Sequence, residues 1–235
     1  MGDERQNSTQ SDDQADGQSN SSNCAQQEHF DIIQLSQHLN LCVRKKDNEV
    51  DLDEYICVFQ QLYKFFIMLG SVFGFVGSDV KTKLEILQGY RTGENRTHYE
   101  TVEKMLQFEK TTDFINKNKE SSASRTLLRL HRALNFVSKF LGKVDEIKDS
   151  EGTAHVCKEA YTQTLSKFHP WLIQKGALLA MYALPTKKDL ISRVCDGRIE
   201  TSEVRRLLHE VIASTQRVYD YCETAYRDND LLDLP

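Results

Sequence analysis

Three groups of residues hold the side chains best suited to binding or proton chemistry. Asp79 and Lys83 stand four apart in Ser78-Asp79-Val80-Lys81-Thr82-Lys83-Leu84, so on a helix they share a face, just after the most hydrophobic stretch of the chain. Alone, such a pair reads as a surface ion pair worth on the order of a few tenths of a kcal/mol. Arg125, Arg129 and Arg132, in the run RTLLRLHRAL, fall on one helical face, with Leu127, Leu130 and Leu134 around the cylinder from them. Three like charges repel, so a partner carboxylate, solvent or a phosphate must compensate them, and guanidinium groups bind phosphate oxygens in forked pairs. His169 opens FHPWLIQKGALLA, a nearly unbroken apolar run that contains the chain's single tryptophan, Trp171. A histidine at a helix start is ordinarily a capping or core residue, and a tryptophan suits either a core or a lipid–water boundary.

Standard catalytic patterns are missing: there is no GxSxG, P-loop, GxGxxG or HExxH. An enzyme using Asp79 and His169 as an acid–base pair would lack both nucleophile and metal. The seven histidines include no pair at metal-binding helical spacing with a completing carboxylate or thiolate, so neither metal nor cofactor is expected. Six scattered cysteines without a CxxC pair read as reduced thiols. Gly70 and Gly74 form a GxxxG, read here as close helix packing.

The elements that must position these groups are helical. Apolar residues recur at three- and four-residue spacing in Ile32, Leu35, Leu39 and Cys42, in Ile56, Phe59, Leu62, Phe66, Leu69 and Phe73, and in Leu127, Leu130, Leu134, Val137 and Leu141. Capping boxes are expected at Asp51 to Glu54 and Thr97 to Glu100, and Ser124 is placed to cap a helix from Arg125. Pro170 suits the first turn of a helix running to about Leu184, where Pro185 stops it. With the three prolines sparing every helix interior and no alternating strand pattern, the expected class is all-α, without a second domain.

Charge divides the chain. The net −5 resides in residues 1–29, one basic residue against six acidic, and the remainder is formally neutral. So few apolar residues cannot offset the entropy of ordering, so a disordered acidic tail over 1–29 and one domain over 30–235 are expected. A global positive field for nucleic acid is missing. No apolar stretch reaches the ~18–20 residues of a membrane span, and no secretory signal opens the chain, so a cytosolic protein is expected. The Lys187-Lys188 pair reads either as a contact for anionic headgroups or as two solvated lysines.

Together, SDVKTKL, RTLLRLHRAL, FHPWLIQKGALLAMYALPTK and the ending RVYDYCETAYRDNDLLDLP closely resemble the glycolipid transfer protein superfamily over about residues 30–235. The resemblance implies a two-layer α-helical sandwich enclosing an apolar lipid pocket beneath a surface headgroup site. It implies that Asp79 accepts a hydrogen bond from the sphingoid amide N–H, that His169 donates one to the acyl carbonyl, and that Lys83, Arg125 and Arg129 hold a phosphate. In members that carry glycolipids, the position of Lys83 is an Asn that bonds the sugar, and that of Arg129 is a Trp on which the sugar stacks. Cations stand at both positions here.

The implied ligand is therefore a phosphate-headgroup sphingolipid, ceramide 1-phosphate, carried between membranes by a monomer that touches them transiently through Trp171. A neutral sugar would leave the three cations uncompensated. Two tails of ~30 methylenes cost on the order of 24 kcal/mol to expose at about 0.8 kcal/mol each, so a carrier needs an apolar sleeve. Phe65, Phe66, Phe73, Phe75, Leu134, Phe136, Ile173, Leu178 and Tyr182 are the expected lining. A lipid sensor or scaffold using the same site, or transfer of a neutral glycosphingolipid, are the alternatives.

Overall fold

Asp31 starts the first helix: its carboxylate accepts from the amides of Ile33 and Gln34, and α1 (Ile32–Cys42) buries Ile32, Leu35, Leu39 and Cys42 along the expected face. The structure, a computed structural model, describes residues 29–235, so the acidic segment expected over 1–29 lies outside the described residues apart from His29. Asp51 caps α2 (Leu52–Met68) by accepting from the amides of Asp53 and Glu54. Glu54 does not complete a capping box; its carboxylate instead meets Nδ1 of His38 on α1, at 2.7 Å.

Beyond α2 the chain turns sharply at Gly70, whose φ of 118° and ψ of 169° suit only glycine, and one 3-10 turn, Ser71–Phe73, leads into α3 (Gly74–Thr92). The GxxxG is not a packing motif. A Cβ at Gly70 or Gly74 would meet nothing within 4 Å, whereas one at Gly77 would come within 3.0 Å of Cδ1 of Ile67, so the close approach of α2 and α3 is at Gly77.

Two starts lie elsewhere than the spacing predicts. Arg96–Tyr99 is a 3-10 turn because Tyr99 is drawn into the core and stacks on Tyr90, and Thr101 caps α4 (Val102–Thr111) by accepting from the amide of Lys104. After the short α5 (Phe114–Lys117), α6 (Ala123–Glu146) is capped by Ser122 rather than Ser124. The buried carboxylate of Glu109 on α4 accepts from the amides of Ala123 and Ser124, both at 2.9 Å, which lets α6 begin two residues earlier. A carboxylate at a helix N-terminus satisfies otherwise orphaned amides and complements the dipole.

The remaining helices are α7 (Ala154–Gln163), α8 (Trp171–Met181), α9 (Lys187–Cys195) and α10 (Thr201–Asp228). Pro170 holds the cap position of α8, which ends at Met181, short of Leu184, the residue that Pro185 biases away from helix. Lys187 is buried, with its ammonium donating to the carbonyls of Asp145 and Ile147 at 2.6 and 3.0 Å, so it closes the C-terminal end of α6 and fits neither earlier reading.

The all-α expectation holds: among the described residues there are only helices, turns and isolated bridges such as Asp51 to Thr101. In one layer α1 packs on α2 and α2 on α3; in the other α6 packs on α10 and α7, and α9 on α10. The layers join along one edge through α3 and α6 and along the other through α1 and α10. No helix among the described residues is long and apolar enough to cross a membrane.

Candidate functional site

Between the layers lies a cavity of about 770 Å3, lined by apolar side chains from α1, α2, α3, α6, α7, α8, α9 and α10. Its charged lining is confined to Asp79 and Lys83 on α3 and Arg129 and Arg132 on α6, with His169 beside them. From Arg129 to Val144, α6 then descends about 22 Å past Phe136, Val137, Phe140 and Leu141. The result is a polar end opening onto an apolar sleeve.

Asp79 and Lys83 pair one helical turn apart; the carboxylate is exposed, whereas the lysine side chain is mostly covered. Arg129 is exposed and makes no hydrogen bond or ion pair within the described residues. His169, in the extended residue after the 3-10 turn Ser166–Phe168, is half-buried, and its Nδ1 lies 2.9 Å from the hydroxyl of Tyr161 on α7. Burial lowers the pKa of His169 below the usual histidine value, with Asp79 opposing and Lys83 reinforcing the shift, and all three residues line the same cavity. Burial likewise raises the pKa of Tyr161, so its hydroxyl keeps its proton. With Nδ1 engaged by that hydroxyl, Nε2 is left for a ligand.

The arginine face separates into three roles. Arg125 is buried outside the cavity lining, with Nε donating to the carbonyl of Ile115 at 3.3 Å. Arg132 donates from Nη2 to the carbonyls of Leu232 and Leu234 at 3.0 and 2.8 Å and lies 4.0 Å over the ring of Phe168. It ties the C-terminal residues to the polar end, where Pro235 joins the lining. The compensation that the three charges require thus comes from backbone carbonyls and an aromatic face at two positions, and only Arg129 stands open.

Six of the nine expected lining residues face the cavity: Phe65, Phe66, Phe73, Phe75, Phe136 and Ile173. Leu134 is buried in helix packing instead, Leu178 packs beside the core, and Tyr182 is 78% exposed. Trp171 is 69% exposed on the outer face of α8, with Leu172 and Leu179 beside it, and Lys175 lies 5.7 Å over its ring. Sequence reasoning missed Tyr161, Glu109 and the latch role of Arg132. Only Arg132 carried a signal, its place on the arginine face; the other two act across elements that no local pattern connects.

Known proteins resemble this arrangement. The family model described as "Glycolipid transfer protein (GLTP)" matches residues 50–196. Ceramide-1-phosphate transfer protein of Xenopus laevis is 33% identical over 213 residues, covering 89% of this chain and 98% of that protein. The Homo sapiens protein of the same name is 32% identical over 198 residues, covering 83% and 91%. Among solved structures, the apo form of mouse ceramide-1-phosphate transfer protein superposes with a TM-score of 0.82 at 31% identity, covering 88% of this chain and all (100%) of that one. The human protein in complex with 2:0 ceramide-1-phosphate gives 0.80 at 29%, covering 88% and 100%.

Proposed function

The chain belongs to the glycolipid transfer protein family, and we propose that it is a carrier that extracts ceramide 1-phosphate from one membrane and delivers it to another. One observation supports the choice of ligand above all: an apolar cavity for lipid tails is charged at a single end, where three cations face one carboxylate. A phosphate balances that excess, and a sugar would bury part of it unpaired.

In this reading residues 30–235 act as one lipid-binding domain. Lys83 leaves Asp79 to join Arg129 on the phosphate, and the freed carboxylate accepts the ceramide amide N–H. Nε2 of His169, its other nitrogen held by Tyr161, donates to the acyl carbonyl. Arg125, one turn before Arg129, adds positive charge behind the phosphate from its buried position. Trp171 meets the bilayer while the tails enter the sleeve between α2, α3 and α6. No bond is made or broken, and the monomer returns to the cytosol with its cargo.

The test is vesicle-to-vesicle transfer across a headgroup panel. Transfer of ceramide 1-phosphate but not glucosylceramide is expected. Lys83→Ala and Arg129→Leu should each slow it about tenfold to a hundredfold, the worth of a lost charged hydrogen bond, with helical content unchanged. Asp79→Val should abolish transfer of every sphingolipid. Equal transfer of glucosylceramide and ceramide 1-phosphate would falsify the phosphate assignment, and binding without accelerated movement would leave a sensor in place of a carrier.

A further inference from the structure

Beyond α10 the chain folds back over the polar end of the cavity. Asp230, at φ of 59°, reverses its direction; its amide donates to the carbonyl of Arg227, and that of Leu231 to the carbonyl of Tyr226, both at 3.0 Å. This paired closure satisfies the last carbonyls of the helix and fixes the course of the residues that follow. The hydroxyl of Tyr226 donates to the carbonyl of Ser124 at 2.7 Å, so the end of α10 is held against the start of α6. Leu231 is buried, and Leu232 and Leu234 pack on the core. The two hydrogen bonds from Arg132 to the carbonyls of Leu232 and Leu234 then pin this strap, and Pro235 enters the cavity lining with Arg129, Phe168 and His169.

The strap bounds the space beside the cations. A phosphate diester remains an anion just as a monoester does, so Lys83 and Arg129 attract both, and charge alone does not separate them. Room beyond the phosphorus does. We propose that residues 231–235, held by Arg132, confine the headgroup site to a phosphate monoester and reject sphingolipids whose phosphate bears a further group. Such a group would have to displace Pro235, free the packed leucines and break the bonds that Arg132 makes to the strap. Arg132 is thus a positioning residue. The same guanidinium lies 4.0 Å over the ring of Phe168, the neighbour of His169, so it sets both the strap and the loop that carries the imidazole. The inference rests on the carrier reading for its ligand and adds which phosphosphingolipids the site takes.

The experiment is calorimetric binding of the full chain, in solution, to short-chain ceramide 1-phosphate and to short-chain ceramide phosphoethanolamine, with amide hydrogen exchange followed over residues 231–234. The parent should bind the diester at least about tenfold more weakly, the scale on which a fixed wall rejects a group too large for it. The double variant Leu232→Gly/Leu234→Gly leaves every cation in place. It should keep the parent's affinity for ceramide 1-phosphate, exchange its strap amides faster, and close most of the gap between the two ligands. Arg132→Met should narrow the gap too, with some loss of ceramide 1-phosphate affinity as its charge goes. A strap that exchanges freely while the diester is still refused overturns the inference. So does a strap that stays protected in both variants, or a parent that binds the two ligands equally. Failure of every version to bind ceramide 1-phosphate would strike the carrier reading instead, whereas binding of ceramide 1-phosphate with an unchanged gap strikes the strap alone.

Discussion

His169 is held neutral by its surroundings. Burial, aided by Lys83, outweighs the pull of Asp79 and moves its pKa below the usual histidine value, and the protonated hydroxyl of Tyr161 is free to donate to Nδ1. The unfolded chain therefore binds a proton at a higher pH than the folded one. Stability from this residue is complete above pH 6.5 and falls as the pH drops below it toward the lowered value. Denaturant titrations at neutral pH and at about pH 5 should show His169→Gln losing less stability on acidification than the parent. The cations of the polar end differ in how they are engaged: Lys83 by a carboxylate, Arg132 by carbonyls, and Arg129 by nothing among the described residues. Of the three, Arg129 has the fewest contacts to give up to a ligand.

The α2–α3 turn sets where Asp79 and Lys83 stand. Gly70 occupies a conformation essentially restricted to glycine, so Gly70→Ala should lower unfolding free energy by about 1–3 kcal/mol even though the added methyl has open space. Gly74→Ala, also in open space but with helical dihedrals, should stay within about 1 kcal/mol of the parent. Urea denaturation of the pair separates backbone strain from packing. The helix patterns were legible because three- and four-residue spacing reports a buried face directly, as α1 and α2 show. Helix starts were less so. Ser122 displaced Ser124 because Glu109 reaches across from α4, and Thr101 displaced Thr97 because Tyr99 is pulled inward.

The whole molecule shields its interior cavity while leaving apolar side chains outside it, on α8 and at the α2–α3 turn. Trp171, Leu172 and Leu179 form a surface that a water-facing helix ordinarily avoids. Trp171→Ala should weaken vesicle binding and slow transfer roughly tenfold, the scale of one large apolar side chain, without changing affinity for short-chain ceramide 1-phosphate in solution. Vesicle flotation and calorimetry together read this out. Because the contact is apolar, added salt, which screens charges, should affect it little.

By itself the sequence determined the helical class, the chemical identity of the polar end, and the family. The spacing of apolar residues follows from the helix repeat, and cations at positions 83 and 129 are facts of composition that no fold alters. The tertiary structure decided what each apolar face meets and what each cation reaches. It placed Leu134 in helix packing and Phe136 in the cavity, Arg125 against a carbonyl and Arg129 in the open, and Lys187 at the end of α6. Those outcomes depend on partners distant in the chain, and a pattern that repeats every few residues carries no information about them.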